Sequence, residues 1–178
     1  MRITDETVSA AQAGDTAALR TIYRELAPLV VGYLTAKGVA DPEAVTSDVF
    51  VAVLQRLDTI TGGAAGLRTF VMSVAHARLV DETRRRQRQP GSTTYLPETD
   101  PRLTDSAEQA ALSEMDRLRL VAMLRRLPES QREVLLLRVI ADLPIDDVAQ
   151  IVGRSAGAVK QLQRRGLLSL RQMLEEQA

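Results

Sequence analysis

Apolar side chains recur along this chain at helical spacing, and polar caps with glycine or proline stops divide them into a series of helices. Thr4 can cap a short helix that ends before Gly14. Asp15 or Thr16 starts a second, which carries Ala17, Leu19, Ile22, Tyr23 and Leu26, bends at Pro28 and runs to Lys37, where Gly38 is a natural stop. Asp41 followed by Pro42 is a cap and first-turn signal. The helix after it buries Val45, Val49, Val53 and Leu57, with Phe50 and Leu54 beside that stripe. Residues 58–66 hold three glycines and read as a loop. A long helix then runs from Leu67 to about Gln87, with Leu67, Phe70, Val71, Val74 and Arg78 on one side. Arg68, Thr69, Ser73, His76, Thr83, Arg84 and Gln87 lie roughly opposite, and Pro90 and Gly91 close the unit.

Periodicity then lapses. Residues 89–105 hold three prolines and are strongly polar, the composition of a linker with reach but no core. It resumes near Ser106 with a helix carrying Leu112, Met115, Leu118, Val121, Met123 and Leu124 and ending near Leu127. Pro128 opens an apolar helix, Glu129 to Ile140; Leu143 and Pro144 turn the chain, and two more helices follow. The expected fold is all-α: two small helical domains, 1–88 and 106–178, joined by a flexible acidic linker. The apolar content is mainly Leu, Val, Ala and Ile with only 3% aromatics, which suits helix-on-helix packing.

Charge adds a second layer. The chain is neutral overall, with 23 basic and 23 acidic residues, which argues against a nonspecific nucleic-acid coat. The distribution is uneven. Arg84, Arg85, Arg86 and Arg88 form one basic island, and Arg154, Lys160, Arg164, Arg165 and Arg171 another, with acids concentrated between residues 98 and 116. Two contact surfaces for nucleic acid are the expectation. The absence of cysteine excludes disulfides, thiolate metal sites and a cysteine switch, and with a single histidine no metal site or cofactor is expected. No stretch approaches a membrane span and nothing resembles a signal peptide, so a cytoplasmic location is the default.

The most specific motif is Ile145 to Leu167, which fits a helix-turn-helix position by position. Ala149 supplies the small residue where two helices touch, and Gly153, four places on, tolerates the positive φ of the turn. Val148, Val152, Val159 and Leu162 supply the apolar seam. Lys160, Gln161, Arg164 and Arg165 fall on one face of the second helix, with Arg154 in the turn before it. Arginine and glutamine can reach base edges and lysine phosphate, the chemistry of a major-groove reading helix. The plainer alternative is a packed helical hairpin with a solvated basic face.

Over nearly its whole length the sequence also resembles the extracytoplasmic-function sigma factors of the sigma-70 family. The stretch LPESQREVLLLRVIADLPIDDVAQIVGRSAGAVKQLQRRGLLSLR looks like their fourth region, which reads the upstream (−35) promoter element. AQAGDTAALRTIYRELAPLVVGYL resembles the opening of their second region, and LRTFVMSVAHARLVDETRRR the part that binds and opens the downstream (−10) element. The family's acidic-Leu-Val-Gln-acidic docking patch corresponds to residues 43–48, where Glu43 and Asp48 keep the acidic ends while Ala44 and Ser47 have lost polar groups. A frequent tryptophan is Phe70 here, and a common Arg-Asn pair is His76-Ala77.

The resemblance implies a protein that docks on bacterial RNA polymerase core through Glu43, Asp48 and Phe50. Promoter DNA would be met by Arg68, His76, Arg84 and Arg85 in the first domain, and by Arg154, Lys160, Gln161, Arg164 and Arg165 in the second. It also implies an anti-sigma partner, and an acidic linker that threads polymerase channels or serves as a solubilising spacer. His76 reads equally as a plain surface residue, and the Arg84–Arg88 cluster as a solvated helix end. Asp146 and Asp147 read as first-turn helix acids. The main rival is a dimeric helix-turn-helix regulator acting without polymerase. A helical enzyme is the weaker one, since no polar constellation has catalytic spacing.

Overall fold

The computed structural model describes residues 3–88 and 119–176, and all regular structure among them is helical. The linker at 89–105 and the expected helix positions Leu112, Met115 and Leu118 lie outside the described residues. Four helices form the first group: α1 (Asp5–Gln12), α2 (Thr16–Ala36), α3 (Pro42–Leu54) and α4 (Gly63–Arg88). The second group holds α5 (119–126), α6 (Glu129–Leu135) running on as a π-turn over Leu136–Ile140, α7 (Ile145–Val152) and α8 (Ala156–Glu175).

Local chemistry sets most of the helix starts. The Thr4 hydroxyl accepts from Thr7 N–H at the head of α1, Asp15 from Ala17 N–H at α2, and Asp41 from Ala44 N–H at α3, each supplying an acceptor to an otherwise orphaned donor. Gly38, at φ 78°, ends α2 where expected. Pro28 lies inside α2, which continues through it to Ala36.

The start of α4 departs from expectation. Residues 58–66 read as a loop because of their glycines, yet the helix begins at Gly63, after a short 3-10 turn over Leu57–Thr59. Its cap comes from far along the chain: the Asp5 carboxylate accepts a hydrogen bond from Ala64 N–H at 2.8 Å. A side chain at Gly63 would collide with that carboxylate, and one at Gly66 with the Thr61 carbonyl. These two glycines therefore permit close approach at the start of a helix. The buried stripe of α4 also differs. It runs through Leu67, Val71, Met72, Ala75 and Leu79, while Phe70 and Val74 are half-buried and Arg78 is exposed. On α3, Val49, Phe50 and Val53 are buried but Leu54 is 51% exposed.

Val30, Leu34, Val49 and Leu67 sit at the centre of the first group, and Leu135, Leu137, Leu143, Val148 and Val159 at the centre of the second. The two centres join in one continuous apolar cluster, with the π-turn packed on α2 and α7 on α4. Gly166 lets α8 cross α6 closely, since a Cβ there would lie 2.8 Å from Leu135 Cδ1. Arg138 ties the corner together, donating to the Leu143 carbonyl and to Gln163 Oε1.

Candidate nucleic-acid interface

Helices α7 and α8 are joined by Gly153, Arg154 and Ser155. Gly153 takes the left-handed conformation, φ 64° and ψ 38°, and the Arg154 N–H returns to the Ala149 carbonyl at 2.9 Å. Ser155 then caps α8, its hydroxyl accepting from Ala158 N–H. Val148 and Val159 are fully buried and Ala149 nearly so, whereas Val152 and Leu162 are half-buried. The turn thus has the geometry that a helix-turn-helix requires, with Val148, Ala149 and Val159 at the centre of the seam and Val152 and Leu162 at its edges.

That packing fixes which side of α8 faces outward. Lys160, Gln161, Arg164 and Arg165 are all exposed, as is Arg154 in the turn. Further along, Lys160, Gln163, Arg164, Leu167, Leu168 and Arg171 line a shallow groove, in which Leu167 is 45% and Leu168 51% exposed. The face is cationic at its start and partly apolar toward its end.

The residues expected to contact DNA from α4 divide into two sets. Arg84 and Arg85 are exposed near its end, with Arg85 paired to Glu82 at 2.8 Å; the side chains of Arg86 and Arg88 lie outside the described ones. Arg68 and His76 are instead turned against the second group of helices. Arg68 stands 3.9 Å from Asp142, and His76 Nδ1 is 3.3 Å from Glu133 Oε1 and 3.0 Å from the Tyr33 hydroxyl. Beside them, Lys37 Nζ reaches Glu129 at 3.0 Å and Glu133 at 3.3 Å, and its side chain is only 4% exposed. Asp147, read as a first-turn acid, also accepts a hydrogen bond from the Thr69 hydroxyl at 2.6 Å.

This polar cluster perturbs its members. Burial pushes the Tyr33 hydroxyl well above its ordinary value, reinforced by the neighbouring Glu133 charge. For Glu133 burial acts upward too, but the hydrogen bond from His76 and the charge of Lys37 outweigh it and hold the carboxyl below the usual range. Sequence reading passed over Tyr33, Lys37 and Glu133, because a lysine at a helix end and a glutamate in the second turn of a short helix look like ordinary surface residues.

On α3, Glu43 and Asp48 are exposed. Phe50 is not. It is 4% exposed and packs edge-on to Tyr23, ring centroids 4.7 Å apart, so the aromatic surface offered outward belongs to Tyr23 at 49% exposure. Val51 and Leu54 extend that apolar patch beside Asp48. Leu54, placed beside the buried stripe by its spacing, was the available sign of an apolar outer face.

Comparison with known proteins bears on the whole chain. The family described as sigma-70, region 4 matches residues 117–170. The chain is 31% identical over 173 residues to the ECF RNA polymerase sigma factor ShbA of Streptomyces griseus subsp. griseus, covering 92% of this chain and 91% of that one. It is 30% identical over 176 residues to the ECF RNA polymerase sigma factor SigD of Mycobacterium tuberculosis, covering 94% and 82%. In fold it is similar to CnrH, solved in complex with the cytosolic domain of CnrY, with a TM-score of 0.64, 18% identity and 98% of both chains covered.

Proposed function

This chain belongs to the extracytoplasmic-function sigma factors of the sigma-70 family, and on that premise we propose how its surfaces divide the work of initiation. It binds bacterial RNA polymerase core and directs transcription from chosen promoters. It acts in the cytoplasm as a binding protein: polymerase performs the catalysis, and no helix among the described residues is long and apolar enough to cross a membrane. An anti-sigma protein is its controlling partner.

The observation that carries the assignment of surfaces is the α7–α8 turn. Buried Val148 and Val159 hold α8 so that Lys160, Gln161, Arg164 and Arg165 project together. This face reads the upstream promoter element as duplex, with phosphate contacts supplying affinity and base-edge contacts specificity. Residues 1–88 form the domain that docks on polymerase and engages the downstream element, and residues 106–178 the domain that reads the upstream one. Polymerase docking uses Glu43, Asp48 and the Tyr23, Val51 and Leu54 patch, with Phe50 supporting Tyr23 from below. Arg68, His76, Arg84 and Arg85 of α4 meet downstream DNA.

Reconstitution with core polymerase on a promoter library tests function and specificity together. Transcription from a defined subset of promoters, dependent on this protein, is the expected result. Tight binding to palindromic duplex without polymerase would instead identify a dimeric regulator.

A further inference from the structure

Helix α1 grips the segment that joins α3 to α4 with both of its ends. At its last residue, Gln12 Nε2 donates to the Leu57 carbonyl and to the Ile60 carbonyl, each at 2.9 Å. At its first, the Asp5 carboxylate accepts from Ala64 N–H at 2.8 Å. A primary amide carries two N–H donors, and here both meet carbonyls of one turn. The 3-10 turn over Leu57–Thr59 has no side-chain cap of its own, and Gly63 and Gly66 let the chain pass close to Asp5 and to the Thr61 carbonyl. The segment is therefore held by residues 45 to 59 positions away in the chain.

The place of this segment gives the grip its consequence. On one side is α3, which presents Asp48, Val51 and Leu54 outward, the surface assigned to polymerase docking; on the other is α4, assigned to downstream DNA. The two helices pack through apolar side chains. Apolar contact is non-directional, so it holds helices together and leaves their angle soft, whereas hydrogen bonds of defined geometry stiffen it. The lever is long. Helix α4 has 26 residues, and a tilt of about 5° at Gly63 would carry Arg84, about 30 Å along the axis, through roughly 3 Å.

We propose that α1 is a brace for promoter opening, in which Gln12, assisted by Asp5, is a positioning residue that sets the angle between the polymerase-docking helix α3 and the DNA-facing helix α4. The proposal rests on those two assignments. Gln12 touches neither polymerase nor DNA in this role; it aligns the surfaces that do. Its loss leaves the docking patch and the arginines of α4 in place, so the protein still binds. The DNA is then presented out of alignment, and the step that suffers is the melting of the duplex.

The full-length chain, reconstituted with core polymerase, is tested on one promoter selected from the library in two forms: as duplex, and with its downstream element pre-melted by mismatches. Gln12 is exposed, so Gln12→Ala opens no core, and Gln12→Glu keeps the shape of the side chain while removing both donors. In both variants co-elution with core matches wild type, and thermal melts stay well above the assay temperature. Open-complex formation on the duplex slows about tenfold, within the rate loss that ångström-scale misplacement causes. The pre-melted promoter restores the wild-type rate. Ser9→Ala, an exposed change on the same helix, behaves as wild type throughout. A wild-type opening rate in both Gln12 variants overturns the brace. So does an equal loss on duplex and pre-melted promoter, or weaker co-elution with core, since either marks general damage to the domain instead of misalignment. The premise is judged apart: Arg84→Ala with Arg85→Ala should impair transcription from the same promoter. Normal transcription there removes the DNA assignment of α4, and the brace with it, whatever the Gln12 variants do.

Discussion

At the scale of single residues, the position of Arg164 on α8 separates reading from folding. Its side chain is exposed while Val159, five residues earlier and inward, is fully buried. Arg164→Ala is therefore expected to leave the melting temperature unchanged and to weaken promoter use. If Arg164 contacts a base, the loss is about 1–3 kcal/mol at one position of the upstream element. If it contacts phosphate, the loss is similar on all sequences and the salt dependence becomes shallower. Leu137, wholly buried, behaves in the opposite way: Leu137→Ala should cost about 2–5 kcal/mol in denaturant titrations. The half-buried Leu162 should cost less. Glu133 makes a prediction in pH. Tyr33, His76, Lys37 and Glu129 surround it, and its carboxyl lies below the usual range in the folded protein. A group lowered on folding stabilises above its unfolded pKa and loses that contribution as pH falls through the folded one. The stability gap between wild type and Glu133→Gln should accordingly be widest near neutrality and close in acid, as chemical denaturation at several pH values would reveal.

Among the elements, α4 shows how a helix start can depend on a distant residue. Three helices of the first group, α1 to α3, are capped by the residue just before them, but α4 is capped by Asp5. Asp5→Ala should destabilise the protein by about 0.5–2 kcal/mol, although Asp5 is exposed and sits in the first turn of α1. Hydrogen exchange checks the cause: protection should fall at the amides of residues 64–67 more than along the body of α1. Gly66→Ala should be more damaging, because the added methyl meets the Thr61 backbone rather than a side chain that can move. The turn between α7 and α8 is the contrasting case, since Gly153 and Ser155 settle it from within a few residues.

For the whole molecule, net neutrality and the seam between the two groups of helices act in the same direction. With 23 basic and 23 acidic residues there is little long-range attraction to DNA, and part of α4 is covered by acids of the same chain. The free protein should bind promoter duplex weakly in a mobility-shift assay, and adding core polymerase should produce a specific complex. Asp48→Arg, at the exposed polar edge of the Tyr23, Val51 and Leu54 patch, should weaken co-elution with core at limiting concentration while leaving helical circular dichroism intact.

The amino-acid sequence by itself determined the parts that depend on neighbours along the chain. The caps at Thr4, Asp15 and Asp41, the stop at Gly38 and the turn at Gly153 were all legible, because a cap or a turn is closed by residues within one helical turn. The outward face of α8 was legible too, since one side of a short apolar seam fixes the other. Tertiary structure decided the rest. Whether Phe50 or Tyr23 is offered to a partner depends on how α2 and α3 cross, and both are aromatic. Helix α4 is apolar or small on more than one side, so its periodicity could not choose the buried stripe; packing against two groups of helices did. The burial of Lys37 between Glu129 and Glu133 joins residues more than ninety positions apart. Such a pairing leaves no periodic trace, because each charge is by itself what a solvated helix surface would carry.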